Sequence, residues 1–391
     1  MDATSASLVA NETRRQIADE VANWNVAEGS LLTIVAVVGF CINLFIVIAV
    51  LASRKLRRRV SDVLCCHLAL VGIAWCALLL PANVTAAFAG GWPLRAAGND
   101  LGLCDAHGYA QAVLVHVMMW TIALLGWNKY RTISTPMQHV SSAIYRRRVA
   151  AILLPTWATG LTLACVPLIS GSGVGRYGYG SATAACVFEP SLTTDGDSPT
   201  VASIVYCVAV TLFGFLLPVA VTAHSYFRIY TIARWHRKRI ALMSAVVHVI
   251  TLSVGVPMSG HGLQEMTQQA GNRSPPAASS AAAADQCWDR KTSRNVLGFV
   301  VAIVLCYAPH YALVASAPAI RRSTYPSHSS PSSSQFPVPV EALAAIVMMA
   351  SPAINGFIYG VRNRAMIRSF RSFIRPPTLG ERLQRHLVSN V

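Results

Sequence analysis

The sequence predicts an all-α membrane protein, a seven-transmembrane helix bundle that is followed by a short amphipathic cytosolic helix. Two observations carry this prediction: the lengths of the apolar runs and the sorting of charge between them. A helix needs about 20 apolar residues to cross a hydrocarbon core of about 30 Å. Seven runs meet this requirement, at residues 29–52, 61–88, 106–134, 148–170, 201–234, 294–319 and 338–360.

The composition indicates a chain that lies in a lipid bilayer. Hydrophobic residues make up 54% of the sequence and charged residues only 12%, which is far from the balance of a soluble domain. The net charge of +16 could suggest nucleic acid as a partner. The basic residues are sorted by loop, however, and do not gather on one domain, so nucleic acid is not expected.

The positions of the basic clusters predict the topology. They lie at residues 54–59, 146–148, 236–239 and 362–385. Because basic loops stay in the cytosol, the N-terminus is expected outside and the C-terminus inside the plasma membrane. The predicted parts are an extracellular tail (1–28), the helical domain (29–360, with a cytosolic loop at about 236–292) and the cytosolic amphipathic helix and tail (361–391).

Two further stretches qualify this topology. Residues 1–28 are polar and show no cleavable signal peptide, and Asn11 in Asn-Glu-Thr fits an N-glycosylation site. Residues 241–258 are apolar and nearly long enough to span a membrane. An eighth crossing there would reverse the sides on which the later basic residues lie. We therefore interpret this stretch as a cytosolic extension or a membrane-surface segment.

Two of the ten cysteines are predicted to lie in outer aqueous positions. Cys104 begins the third span, and Cys186 lies in the loop between the fourth and fifth spans. In an oxidising compartment they could form a disulfide that holds this loop over the bundle, and the alternative is two free thiols. Most of the other cysteines fall within spans, where a thiol behaves as a small apolar side chain.

Each predicted helix carries residues of one known family. They are Gly39 and Asn43; Leu68, Ala69 and Pro81; Cys104 and Asn128-Lys129-Tyr130; Trp157 and Pro167; Phe215, Pro218 and Tyr226; Cys306-Tyr307-Ala308-Pro309; and Asn355-Gly356-Phe357-Ile358-Tyr359. In this order and spacing, the chain from about residue 30 to 375 resembles a rhodopsin-like (class A) G-protein-coupled receptor. The sequence after the fifth span is similar to that of a small group of orphan receptors.

The resemblance implies a receptor that responds to an extracellular ligand and signals to heterotrimeric G proteins, with arrestin as a further partner. The residues implied in coupling and switching are Asn128, Lys129, Tyr130, Tyr226, Asp289, Asn355 and Tyr359. Lys129 replaces the family arginine and Asn128 replaces the family aspartate. Lys129 could pair with Asp289 at the foot of the sixth helix, or both could be solvated charges.

Two other departures point to a weakly held inactive state. Gly72 replaces the family aspartate that helps to hold a sodium ion, so sodium binding is not expected. Gly356 replaces the proline of the seventh helix, where Pro352 could move the kink one turn outward. We therefore expect appreciable signalling without a ligand.

The resemblance also implies a ligand pocket, formed by Gln111, Val115, His116, Thr211, Phe215, Tyr307, His310, Tyr311, Glu341 and Met349. Gln111 stands where amine receptors have an acid, and Met349 stands where opsins have the retinal lysine. Neither a typical amine receptor nor a photopigment is therefore expected. A small neutral or lipid-like ligand and the absence of any diffusible ligand both stay open.

Other functional classes find less support in the sequence. No phosphate-binding loop in a strand–loop–helix context and no metal-ligand spacing occurs, so no enzyme, cofactor or metal is expected. A transporter would be expected to show an internal repeat or a buried carboxylate that couples ions, and the sequence pattern indicates neither. The remaining alternative is a seven-helix scaffold without G-protein coupling.

Overall fold

The structure, a computed structural model, describes residues 3–93, 100–134, 142–169, 171–180, 183–193, 199–253, 300–316 and 338–375. Eight longer helices are found there: α1 (Ala3–Ala52), α2 (Val60–Ala74, Trp75–Leu79 and Leu80–Ala89), α3 (Asp100–Ser134), α4 (Ser142–Cys165), α5 (Val201–Thr211, Leu212–Leu216 and Leu217–Ser253), α6 (Val300–Ser316), α7 (Val338–Met349, Ser351–Gly356 and Phe357–Val361) and α8 (Arg364–Ile374). A short helix at Arg54–Arg57 and a 3-10 turn at Val166–Leu168 complete the described helical segments. Strands β1 (Gly175–Gly180) and β2 (Ala185–Pro190) pair antiparallel between α4 and α5.

The described helices confirm the predicted seven-helix bundle. Six are long and apolar enough to cross a membrane: Trp24–Ala52, Val60–Ala89, Gly102–Ser134, Arg147–Leu168, Val201–Arg239 and Val340–Val361. α6 is a shorter apolar helix, because both ends of the predicted span 294–319 fall outside the described residues.

Two helices extend beyond their predicted spans. α1 begins at Ala3, so the backbone of the polar tail is helical and continuous with the first span. Asn11 lies in that helix, and its glycosylation stays a prediction. α5 continues to Ser253, which makes the first part of the stretch 241–258 an extension of the fifth helix. Residues 254–258 lie outside the described residues.

Irregular helical turns accompany several prolines. π-helical turns at Trp75–Leu79 and Leu212–Leu216 lie just before Pro81 and Pro218. α7 is interrupted at Ala350, immediately before the segment that contains Pro352. Proline has no N–H to donate to the preceding turn, so the backbone there rearranges. The break at Ala350 lies outward of Gly356, as the sequence analysis predicted.

α3 is the central helix, and it contacts α2, α4, α5 and both strands. Its side chains Met118, Ile122 and Leu125 are at most 1% exposed. By contrast, Leu78 is 71% exposed and Leu154 68% exposed on the outer surfaces of their helices. Exposed leucines at mid-span fit a surface that faces lipid, which is as apolar as they are.

Glycines let α1 approach α2 and α7 closely. A Cβ atom on Gly72 would lie 2.8 Å from the Asn43 side chain, and one on Gly356 would lie 2.7 Å from Ile42 Cγ2. Asn43 therefore occupies the space beside the position where the family has its aspartate. Gly356 is required for close packing, a reason that differs from the local freedom which the sequence suggested.

α8 packs its apolar face against the inner end of α1. The Phe370 and Phe45 rings meet edge to face at 4.7 Å, and the Ser369 hydroxyl donates to the Ala49 carbonyl at 2.6 Å. Arg364, Arg368 and Arg371 are exposed. The helix therefore has the predicted amphipathic form, and its exposed arginines suit contact with an anionic lipid surface.

Candidate functional site

The outer end of the bundle is covered by the β1–β2 hairpin. The predicted disulfide joins Cys104 to Cys186, with 5.5 Å between their Cα atoms. On β1, the buried Tyr177 side chain fits against Gly108, where a Cβ atom would lie only 2.6 Å from the Tyr177 ring. The Tyr177 hydroxyl donates to the Ala164 carbonyl on α4 at 2.9 Å. The hairpin is thus held to α3 and α4 at two points.

Burial changes the acidity of the hairpin tyrosines. It raises the pKa of the Tyr177 hydroxyl, and the neighbouring Tyr206 adds to the rise. It also raises the pKa of Tyr179, where the negative charge of Glu28 on α1 is a second cause. Both tyrosines are therefore neutral hydrogen-bonding groups at physiological pH.

Aromatic side chains form the floor beneath this cover. Phe215 on α5 and Tyr311 on α6 stack with ring centroids 5.1 Å apart and planes inclined by 18°. Tyr307, one turn further in on α6, is fully buried, and its hydroxyl accepts a hydrogen bond from Asn355 Nδ2 at 3.3 Å. Tyr307 thereby connects the predicted pocket to the predicted switch residue Asn355.

Two predicted pocket residues present polar atoms without a partner among the described residues. Gln111 Oε1 on α3 and Thr211 Oγ1 on α5 are both buried and make no hydrogen bond there. Val115, one turn inward of Gln111, is 4% exposed. A buried polar group that lacks a partner costs free energy, so these atoms are suited to a ligand's hydrogen bonds.

The other predicted pocket residues are used in packing or lie at the edge. His116 Nε2 is 3.0 Å from Thr159 Oγ1 on α4, so its ring faces α4. Met349 Sδ accepts a hydrogen bond from Asn83 Nδ2 at 3.5 Å. The His310 ring meets the Tyr311 ring edge-on, with centroids 5.4 Å apart. Glu341 is half-buried near the start of α7.

The sequence analysis missed a second group of outer residues: Glu28, Trp92, His107 and Tyr179. Glu28 was assigned to the polar tail, yet it is only 4% exposed. One turn further along α1, Leu32 is fully buried on the same face. Helical periodicity extended backwards from Leu32 would have placed Glu28 on the face that points into the bundle.

At the inner end, Asn128 and Lys129 contact different helices. Asn128 Nδ2 donates to Ser61 Oγ on α2 at 2.8 Å. Lys129 Nζ lies 5.1 Å from the centre of the Tyr359 ring on α7, within the range of a cation–π interaction. The buried Tyr226 side chain on α5 lies within electrostatic range of Tyr359. Lys129, Tyr226 and Tyr359 therefore join α3, α5 and α7, and we call them the inner cluster.

The pairing of Lys129 with Asp289 stays a prediction, and Asp62 is an acid among the described residues that acts on Lys129. Asp289 lies outside the described residues. Asp62, near the start of α2, is 7% exposed and acts electrostatically on Lys129. Tyr130, by contrast, lies toward α5, where Arg228 is 5.8 Å from the centre of its ring. The neighbours Lys129 and Tyr130 thus serve different contacts.

A polar group between α2, α3 and α4 was also missed. Trp157 Nε1 donates to His67 Nε2 at 2.9 Å, and His67 Nδ1 lies 3.3 Å from Thr121 Oγ1. The indole N–H can only donate, so His67 Nε2 is an acceptor and the ring proton sits on Nδ1. The neutral imidazole therefore ties three helices together.

Comparisons with known proteins agree with this architecture. The family "7 transmembrane receptor (rhodopsin family)" matches residues 42–359. The D(1B) dopamine receptor of Xenopus laevis is 25% identical over 60% of this chain and 48% of its own length. The human melatonin receptor type 1B is 28% identical over 53% of this chain and 51% of its own length. The chain thus spans about half the length of such relatives.

Solved structures give the same fold. Squid rhodopsin superposes with a TM-score of 0.62 and 16% sequence identity, covering 89% of this chain and 84% of that one. The human G-protein coupled receptor 78, a further relative, is 26% identical over 54% of each chain. Because the family match covers most of the chain and the bundle has the corresponding form, the chain belongs to the rhodopsin family of seven-transmembrane receptors.

Proposed function

We propose that this protein is a plasma-membrane receptor that couples to heterotrimeric G proteins and signals appreciably without a ligand. The N-terminus is extracellular in this proposal, and an extracellular ligand acts on the outer half of the bundle. Arrestin is a further partner. The positive-inside distribution of Lys and Arg and the family match support this orientation and partner class.

The inner cluster is the observation that carries the proposal of basal activity. Lys129 has the neutral Asn128 beside it where the family has an aspartate, and its ammonium group lies over the Tyr359 ring. Tyr226 and Tyr359 also interact across the inner end of the bundle, as their counterparts do in active family members. The contacts of the inner cluster thus favour an arrangement of α3, α5 and α7 that suits coupling to a G protein.

The experiment measures cAMP and phosphoinositide output in cells without added ligand. The wild type should exceed empty vector at matched surface expression. Lys129→Ala should lower the output, because it removes the cation that joins α3 to α7, and Lys129→Arg should retain more of it. Lys55→Ala is the matched control, since Lys55 is an exposed lysine in the connection between α1 and α2.

Equal outputs from the wild type, both Lys129 variants and empty vector would contradict the proposal. They would favour the alternative of a seven-helix scaffold without G-protein coupling. Epitope tags at the two chain ends test the topology independently. Only the N-terminal tag should be accessible on intact cells.

A further inference from the structure

The outer ends of α1, α2 and α3 and the β1–β2 hairpin bring together an acid, two aromatic rings and a histidine. The residues are Glu28, Trp92, His107 and Tyr179, and we call them the outer acidic subsite. We propose that this subsite binds an organic cation, a primary or secondary amine that also carries a hydrogen-bond acceptor. The inference rests on the proposed function, because it names the ligand class of the outer half of the receptor.

Glu28 is the central observation. Its side chain is 4% exposed, and its Oε1 atom is fully buried without a hydrogen-bond partner among the described residues. An ionised carboxylate in such a place costs several kcal/mol unless a positive group compensates it. An acid on the inner face of a membrane helix is also rare enough to indicate a functional site.

A row of three rings, Tyr179, Trp92 and His107, begins within electrostatic range of Glu28. The charge of Glu28 reaches Tyr179 on β1. The Tyr179 ring lies 6.2 Å from the Trp92 ring, and the Trp92 ring lies 5.2 Å from the His107 ring. Aromatic faces attract a cation by their quadrupoles, and Trp attracts it most strongly. Rings beside a buried carboxylate therefore match an ammonium group.

The polar atoms that lack partners refine the ligand class. His107 Nε2 lies 3.4 Å from the Leu79 carbonyl, which can only accept, so Nε2 carries the proton and Nδ1 is an acceptor. His107 Nδ1, Glu28 Oε1 and Gln111 Oε1 make no hydrogen bond among the described residues. The two acceptors of the subsite, Glu28 Oε1 and His107 Nδ1, match an ammonium ion with several N–H donors, and Gln111 Oε1 can accept from a donor further inward.

An unpaired donor in the subsite explains why the ligand should also carry a hydrogen-bond acceptor. Trp92 Nε1 is buried without a partner among the described residues, and an indole nitrogen can only donate. A hydroxyl or carbonyl oxygen on the ligand would accept its hydrogen bond. Gln111 lies one helical turn inward of His107, so a ligand could extend from the subsite toward the predicted pocket.

This class differs from the neutral or lipid-like ligand that the sequence left open. A lipid chain has no N–H donor and would leave these acceptors unpaired, and a neutral alcohol would leave the charge of Glu28 without compensation. The absence of an acid at Gln111 therefore does not exclude an amine. The acid is supplied by α1 and lies nearer to the outer surface.

The experiment uses the purified full-length receptor in lipid nanodiscs and measures equilibrium binding without a G protein. The probes are tyramine and 4-aminobutan-1-ol, each compared with its alcohol analogue, tyrosol and butane-1,4-diol. Each pair differs only in an ammonium or a hydroxyl group. At least one amine should bind at least about tenfold more tightly than its analogue.

Glu28→Gln keeps the shape of the side chain and removes its charge. We expect it to weaken amine binding at least about tenfold and to leave alcohol binding unchanged. Glu189→Gln is the control, because Glu189 is an acid on β2 that pairs with the exposed Arg176 at 3.5 Å. Thermal unfolding without ligand should show Glu28→Gln to be at least as stable as the wild type, since a buried charge has been removed.

Three results would overturn the proposal: saturable binding of neither amine at about 10 mM, equal affinities for amine and alcohol, or an equal effect of Glu28→Gln on both. A marked loss of thermal stability in Glu28→Gln would assign Glu28 a structural role instead. Because no G protein is present, a failure here is distinct from a failure of coupling. Basal output in cells tests coupling separately.

Discussion

The Asn43 side chain joins α1 to α7 by donating a hydrogen bond to the Pro352 carbonyl at 3.2 Å. The same Nδ2 donates to the Gly39 carbonyl within α1 at 2.8 Å. Pro352 lies in the segment that follows the break at Ala350. Gly72 on α2 leaves room for the Asn43 amide, and three helices thereby meet around one side chain.

Gly72→Ala should destabilise the protein. The added Cβ atom would lie 2.8 Å from the Asn43 side chain, so Asn43 would have to move away from its two carbonyls. Overpacking of this kind costs about 1–3 kcal/mol, which exceeds the gain of about 1 kcal/mol from replacing a helical glycine. Thermal unfolding of the purified receptor measures the difference.

Gly102→Ala is the matched control for this change. Gly102 also lies in a helix, but nothing lies within 4 Å of the position of its Cβ atom. The same substitution should leave the melting temperature unchanged or raise it slightly. A fall at Gly102 that matched the fall at Gly72 would argue against the steric explanation.

Tyr177→Phe should loosen the hairpin. It removes the hydroxyl that donates to the Ala164 carbonyl at 2.9 Å and leaves that carbonyl without this donor. Loss of one hydrogen bond of this kind costs about 1 kcal/mol. Hydrogen exchange of Gly175–Gly180 should become faster, while Tyr230→Phe, at a half-buried tyrosine of α5, should change nothing in the hairpin. Unchanged exchange in Tyr177→Phe would mean that the disulfide alone holds the strands.

His67→Leu should destabilise the contact between α2 and α4. Trp157 Nε1 would lose the acceptor that now lies at 2.9 Å, and an unpaired buried donor costs about 1–3 kcal/mol. His67→Asn offers a side-chain oxygen in a similar place and should recover part of the loss. The melting temperatures of the three proteins test this order. A leucine variant as stable as the wild type would contradict it.

The sequence predicted the helices well because spanning a bilayer demands long apolar runs that are visible in one dimension. α2 was predicted at 61–88 and is found at Val60–Ala89. The disulfide pairing of Cys104 with Cys186 followed from the two outer positions and is present in the structure. The spans depend on local composition, and the disulfide depends on which side of the membrane each cysteine lies.

The sequence could not predict which side chains meet across the bundle. His116 was expected to face a ligand, yet it lies against Thr159, because the rotation of a helix is set by its neighbours. Glu28 was assigned to the polar tail, because the predicted boundary between tail and helix lies at residue 28 while α1 continues through it. The Lys129 contact with Tyr359 depends on how α3 and α7 pack, and no local pattern records it.

The central claim is that the contact of Lys129 with the Tyr359 ring, formed beside a neutral residue at position 128, raises basal signalling. Asn128→Asp tests it most directly, because a carboxylate beside Lys129 should attract the ammonium group away from the ring. Basal G-protein activation is measured without ligand across a panel of G-protein subtypes, at matched surface expression. The account predicts a lower basal output than that of the wild type. An unchanged or higher output in Asn128→Asp would contradict it.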